Sequence, residues 1–135
     1  MSLSYCIAYG KSAADRDNIY FGGISIGVNS DGTLMETAFS EYGEILDKHP
    51  DSGVVFKNYK VDGADGGIQK MVIKCHEKLP WLGFLSWDLS IDDTNNVVLI
   101  EVNTTGQSAW FPQMVNGKPL FGENTGKILE LIRKK

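Results

Sequence analysis

The segment from Leu82 to Thr105 constrains the fold of this chain more than any other, because it has the pattern of two strands joined by a turn. Apolar and polar side chains alternate on both sides of a polar stretch between Asp92 and Asn96. Such a period of two is typical of half-buried strands. A loop of residues 93–96 has a common length for a β-hairpin. The segment therefore predicts an antiparallel hairpin.

The register of this hairpin is predicted by the same alternation. A shift by one residue would place Asp88 opposite Ile100 and would mix polar with apolar side chains on each face. The unshifted register keeps the acidic and amide side chains together on one face. The predicted pairs are Ser86–Asn103, Asp88–Glu101, Ser90–Leu99 and Asp92–Val97.

Two carboxylates and an amide then lie side by side, and this is a candidate metal site. Directly opposed side chains have Cβ atoms about 5 Å apart, and two bare charges about 4 Å apart repel by roughly 4 kcal/mol at an effective dielectric constant of about 20. A cation or a shared proton relieves that repulsion. Carboxylate and amide oxygens suit Mg²⁺ or Mn²⁺. Asp88, Glu101 and Asn103 are therefore predicted metal ligands, and solvated surface carboxylates are the alternative that the residues alone leave open.

The remaining chain predicts short strands and two helices. The turn signal Asn29 to Gly32 joins two of the strands, and a helix over Leu34 to Leu46 competes with the second of them. Apolar residues at helical spacing after Gly67 predict a helix that Pro80 stops. The fold class is α+β, an antiparallel sheet with helices on one face. The predicted strands are Tyr5 to Tyr9, Ile24 to Val28 and Leu34 to Phe39, and the predicted helices run from Ile68 to Leu79 and from Thr125 to Lys134.

Length and composition narrow the class of protein. The 135 residues fit a single domain over residues 1–135. A net charge of −4 argues against a nucleic-acid partner, and the chain has no apolar run of the length that spans a membrane. Cys6 and Cys75 are expected to be free thiols in a reducing, cytoplasmic compartment. Met1 to Leu3 look like a leader, so we expect a piece of a longer protein.

At the hairpin the chain resembles the ATP-grasp superfamily. The pattern of that superfamily is an Asp on one strand and Glu-x-Asn on the next, usually followed by a small polar residue and a glycine. Asp88, Glu101, Asn103, Thr104 and Gly106 match it in order and spacing.

More narrowly, the chain is similar to the sugar-transfer-associated branch of ATP-grasp proteins, found with polysaccharide biosynthesis. The similarity covers nearly the whole chain, as the C-terminal lobe of such a protein. The matching pieces are RDN at Arg16 to Asn18, GGISIGV from Gly22, KHPDSG from Lys48, SWDLSI from Ser86, LIEVN from Leu99, Gln113, and GKPLF from Gly117.

The resemblance implies an ATP-dependent carboxylate ligase that uses Mg²⁺ or Mn²⁺. In that chemistry the γ-phosphate passes to a substrate carboxylate, and an amine or another nucleophile attacks the acyl phosphate. Glu101 would bridge two metal ions, and Asp88 and Asn103 would each bind one. These three residues would thereby also bind the ATP cofactor.

The resemblance also implies partners and further site residues. An N-terminal lobe that grips adenine should precede this chain, so the isolated chain is expected to be inactive, and it is expected to self-associate through the surface that lobe would cover. The substrate would be a small carboxylate or a sugar-linked molecule. Asp17, Asn18, Gly22, Gly23, Thr104 and Thr105 are the predicted substrate residues; a turn in which Asn18 bonds its own backbone is the alternative for the first four.

Two departures from the family pattern point to a second hypothesis. Members often carry an Arg near the place of Ala8 or at the place of Ser86. Lys11 and Arg16 are the predicted replacements for that catalytic positive charge. The alternative function is a non-catalytic module that binds a glycan or an anion and has kept the lobe without the chemistry.

Overall fold

The structure is a computed structural model that describes residues 6–10, 21–63 and 66–133. Within these ranges it contains six strands, three α-helices and a 3-10 turn at Gly122–Asn124. The predicted α+β class with antiparallel strands is confirmed, and the strands are divided between two sheets. The strands are β1 Cys6–Tyr9, β2 Ile24–Val28, β3 Leu34–Ser40, β4 Ile45–Leu46, β5 Ser86–Ile91 and β6 Val97–Asn103; the helices are α1 Gly67–His76, α2 Trp110–Asn116 and α3 Thr125–Arg133.

The first four strands form one antiparallel sheet in chain order. The predicted strands at β1, β2 and β3 are confirmed, and the competing helix over Leu34 to Leu46 is wrong. Every residue of β2 is buried, because this strand has neighbours on both edges. The apolar core consists of Ile24, Ile26, Val28, Leu34, Ala38 and Phe56.

Helix α2 packs against β2, and the sequence did not predict it. The close approach depends on Gly27, since a Cβ atom there would lie 2.9 Å from the carbonyl oxygen of Val115. Two signals mark the helix in retrospect. Pro112 occupies its first turn, where proline is tolerated, and Gly117 ends it in the left-handed conformation.

Helix α1 connects the first sheet to the hairpin. Val72 is its buried residue, and Ile68 packs against the core of the first sheet. The helix ends at His76, earlier than predicted, and the ring of His76 contacts the carbonyl oxygen of Leu82 through Nε2 at 2.8 Å.

Strands β5 and β6 form a separate antiparallel pair, the ribbon. The predicted last helix is confirmed as α3, and Lys134 lies outside the described residues. Among the helices of the described ranges, none has both the length and the apolar character needed to cross a membrane.

Candidate metal centre and its cleft

The ribbon brings the predicted metal ligands together. Asp88 pairs with Glu101 and Ser86 pairs with Asn103, as the alternation predicted. The predicted pairs beyond Asp88 are wrong, because the register shifts between Asp88 and Leu89. The observed pairs there are Leu89–Leu99, Ser90–Val98 and Ile91–Val97.

This shift is a β-bulge, and it changes which apolar residue of β6 shares a face with Asp88. Ile100 is the extra residue of β6, so the strand changes phase beside Glu101. Paired residues share a face of a sheet, and Leu99 therefore joins Leu89 instead of lying beside Asp88. Asp88 and Glu101 stay paired, and Val98 instead of Leu99 lies opposite Ser90 on their face.

Asn103 binds Asp88 directly. Its amide Nδ2 donates a hydrogen bond to Oδ2 of Asp88 at 3.2 Å. The amide oxygen, which is the atom that binds a metal, therefore points away from that carboxylate. A half-turn of the amide about its last torsion exchanges the two atoms. Asp88, Glu101 and Asn103 then present only oxygen atoms, which fits Mg²⁺ or Mn²⁺.

The fold can accommodate the two paired carboxylates without a bound cation. Asp88 and Glu101 are both exposed, so water screens their repulsion, which at 4 Å falls to about 1 kcal/mol in bulk water. Within the described ranges no group of three or more His, Cys, Asp or Glu side chains could hold a metal ion. The site is therefore limited to two carboxylates and one amide, and other ligands must come from water or a bound molecule.

A large cleft opens beside these residues. Its volume is about 1270 Å³, which exceeds the roughly 300–1,000 Å³ of ordinary small-molecule pockets. Asp88 and Asn103 line it from the ribbon, and Cys6 lines it from β1, whereas Glu101 lies outside the lining. Burial, together with the nearby charge of Asp88, raises the pKa of the Cys6 thiol to about 11. Asp88 thus lies close enough to β1 for its charge to act across the cleft.

Two residues of the cleft lining, Trp87 and Lys127, carry polar groups that sequence reasoning missed. The indole Nε1 of Trp87 is buried and has no hydrogen-bond partner among the described residues. Such an atom costs free energy unless water or a ligand accepts its hydrogen bond. Lys127, on α3, supplies a positive charge to the lining. Neither carries a sequence signal, because both depend on how distant segments pack.

Of the other predicted site residues, some line the cleft and others do not. Thr105 lines the cleft, and so do Ala8 and Ser86, the positions at which the family resemblance led us to expect arginine. Thr104 is exposed after the end of β6. Gly22 and Gly23 are not part of the described lining. Lys11, Arg16, Asp17 and Asn18 lie outside the described residues.

The chain belongs to the family described as sugar-transfer associated ATP-grasp, whose sequence model matches residues 3–127. Membership supports an ATP-binding, ligase-like type of domain in a sugar-transfer context. No significant match was found among curated proteins or among solved structures.

Proposed function

We propose that this chain provides the metal- and phosphate-binding surface of an ATP-dependent carboxylate ligase. The observation that carries the proposal is the pairing of Asp88 with Glu101 on the ribbon, with Asn103 bonded to Asp88. Membership in an ATP-grasp family supports ATP as the nucleotide. In the reaction that we propose, the γ-phosphate of ATP is transferred to a substrate carboxylate, and a nucleophile then attacks the resulting acyl phosphate.

The three side chains have distinct roles in this proposal. The carboxylates of Asp88 and Glu101 supply negative oxygen ligands, and Asn103 supplies a neutral one after its amide turns. Mg²⁺ or Mn²⁺ bound there would neutralise phosphate oxygens and align the phosphate with its acceptor. Mg²⁺ commonly takes few protein ligands and completes its shell with water and phosphate. A small, exposed ligand set is therefore sufficient.

The positive charge that binds phosphate comes from several places in this proposal. Lys127 lines the cleft, and Lys11 and Arg16 remain the predicted cations of the segment between β1 and β2. A second lobe would contact the ribbon beside Glu101, where Ile100 is 66% exposed. An apolar residue at that position suits a protein surface better than water.

The proposed setting is a reducing, cytoplasmic one, in polysaccharide biosynthesis. Cys6 and Cys75 are both free thiols, which suits a compartment where disulfides do not form. The substrate class proposed is a small carboxylate or a sugar-linked molecule.

Binding of Mn²⁺ to the full chain tests the proposal. Electron paramagnetic resonance measures free Mn²⁺ during titration, and we expect weak binding, with a dissociation constant of about a millimolar or somewhat below, because only two charged ligands are present. Asp88→Asn and Glu101→Gln each remove one charge and should weaken binding about tenfold or more. Addition of ATP should strengthen Mn²⁺ binding in the unmodified chain.

Asp93→Asn is the matched control. Asp93 is an exposed carboxylate of the same hairpin, in the turn rather than on the ladder, so its loss should leave Mn²⁺ affinity unchanged. If Glu101→Gln binds Mn²⁺ as the unmodified chain does, the metal assignment is wrong.

A further inference from the structure

A second, smaller cavity lies beside the large cleft that Asp88 and Asn103 line. Its volume is about 170 Å³, close to the roughly 150 Å³ of a cavity that accepts one benzene-sized ring. Phe56, which is 2% exposed, and Leu34 are its most buried lining residues. The other lining residues are Tyr9, His49, Ser52, Val54 and Tyr59. Tyr9 lines the large cleft as well, so the two spaces are neighbours.

The loop that follows β4 is fixed by His49. The ring Nε2 contacts the carbonyl oxygen of Gly10 at 2.8 Å, and Nδ1 accepts from the backbone N–H groups of Asp51 and Ser52 at 3.3 Å each. The backbone N–H of His49 also donates to the carbonyl oxygen of Val54 at 2.8 Å. Both ring nitrogens are therefore engaged by the protein, and His49 offers a ligand only its carbon edge and face.

Two phenols supply the polar groups of the cavity. The phenolic oxygens of Tyr9 and Tyr59 form no hydrogen bond to any described residue. Burial raises the pKa of Tyr9, and the nearby phenol of Tyr59 raises it further. This direction is consistent with two neighbouring phenols that are partly shielded from water. Each hydroxyl can donate one hydrogen bond and accept others.

These features define the ligand by its chemistry. None of the lining side chains is an acid, a lysine or an arginine, so the ligand is uncharged at the part that enters. The rings of Tyr9 and His49 are 6.1 Å apart and nearly perpendicular, at 81°, so they do not form the parallel-walled slot in which a flat base stacks. Hydroxyls beside aromatic carbon match a ring that carries hydroxyls on an apolar frame.

We propose that this cavity, the Tyr9–Tyr59 pocket, binds one neutral pyranose ring of a sugar. The sugar's C–H face would lie against aromatic carbon, and its hydroxyls would bond the phenols of Tyr9 and Tyr59 and the hydroxyl of Ser52. This site is separate from Asp88 and Glu101 and needs no metal, so it can fail or succeed independently of the proposed ligase function.

Saturation-transfer NMR with the full chain tests the pocket. The probes are the methyl pyranosides of glucose, galactose, mannose and N-acetylglucosamine, with adenosine as the competing flat ligand. We expect at least one pyranoside to bind in about the millimolar range. Tyr59→Phe and Tyr9→Phe should each weaken it by about two- to tenfold, the effect of one neutral hydrogen bond. Val54→Phe should abolish binding by filling the space.

Two control variants show whether pyranoside binding depends on this pocket. Tyr42→Phe changes a tyrosine that is 86% exposed and does not line the pocket, and it should leave pyranoside binding unchanged. Asp88→Asn should also leave it unchanged, even where it abolishes Mn²⁺ binding. The proposal would be overturned if none of the four pyranosides gave a signal. It would also be overturned if neither Tyr→Phe change altered the signal, or if adenosine bound more strongly than the pyranosides.

Discussion

At the scale of single residues, Asp88 is the side chain on which the candidate site depends. It lies opposite Glu101, accepts a hydrogen bond from Asn103, and faces Cys6 closely enough to influence its titration. The first two relations are within the ribbon, and the third connects the ribbon to the first sheet. A measurement on Cys6 therefore reports where the ribbon sits.

The thiol of Cys6 should react slowly with iodoacetamide because its thiolate is disfavoured. Its pKa is raised from 9.0 to about 11, first by burial and then by the charge of Asp88. Only the thiolate attacks, so at about pH 8 the reaction should be roughly a hundredfold slower than for an ordinary thiol. Rates measured in a Cys75→Ser background isolate this one group.

Removal of the Asp88 charge is the discriminating comparison for Cys6. In Asp88→Asn the pKa of Cys6 should fall, though not to its ordinary value, because burial is the larger cause. Glu101 is not among the causes of the raised pKa of Cys6. Glu101→Gln should therefore leave the alkylation profile of Cys6 unchanged. An unchanged profile in Asp88→Asn would mean that the ribbon does not face β1 in solution.

At the scale of elements, periodicity predicted much of this fold. Alternation was sufficient for β2 and for the pairing of Asp88 with Glu101, because a side chain's face follows from its place in a strand. It failed beyond Asp88, since a bulge adds a residue that a strict period of two cannot represent. Strict alternation gives no sign of where an extra residue such as Ile100 enters the strand.

Helix α2 was missed for a related reason. It spans seven residues, too few for helical periodicity to be recognised, and its stability comes from packing on β2 at Gly27. The cleft was equally inaccessible to sequence reasoning. Its walls come from β1, α1, the ribbon and segments after Thr105, and no local pattern shows how these elements pack together.

The β5–β6 turn should be sensitive to acid through Asp92. Its carboxylate accepts from the backbone N–H groups of Asn96 and Thr94 at 2.8 and 2.9 Å, and these bonds, led by that of Asn96, lower its pKa below 3.8. The stabilisation is therefore present above about pH 4 and is lost as the pH falls through the lowered pKa. In Asp92→Asn the charge is absent, so the variant should be less stable at neutral pH and should lose less on acidification.

Urea denaturation at neutral pH and at about pH 3 measures this difference. Asp93→Asn is again the matched comparison, because its carboxylate has no side-chain hydrogen bond to a described residue in the structure. Equal acid sensitivity of the unmodified chain and Asp92→Asn would show that the turn does not hold this carboxylate in its ionised form.

At the scale of the whole molecule, burial is distributed unevenly. All of β2 is buried, whereas β6 has no buried residue. The candidate metal ligands therefore lie on an element with little apolar support. Local opening occurs where buried contacts are few, and binding sites are often found on such elements.

Hydrogen exchange followed by mass spectrometry should resolve these two parts of the molecule. Peptides covering β2 should exchange only through unfolding of the whole domain, and peptides covering β6 should exchange faster through opening of the ribbon alone. Equal protection of the two strands would mean that the ribbon and the first sheet unfold as one unit.

Mg²⁺ should then slow hydrogen exchange in the ribbon. Opening of the ribbon separates Asp88 from Glu101 and so disrupts the proposed site, and a ligand at about 100 times its dissociation constant should slow exchange through that opening about a hundredfold. Exchange in β2 should slow as well if it occurs only through global unfolding, since that event also releases the ion. Glu101→Gln should lose the effect in both strands. Slowed exchange in β6 that persists in Glu101→Gln would place the bound ion elsewhere in the molecule.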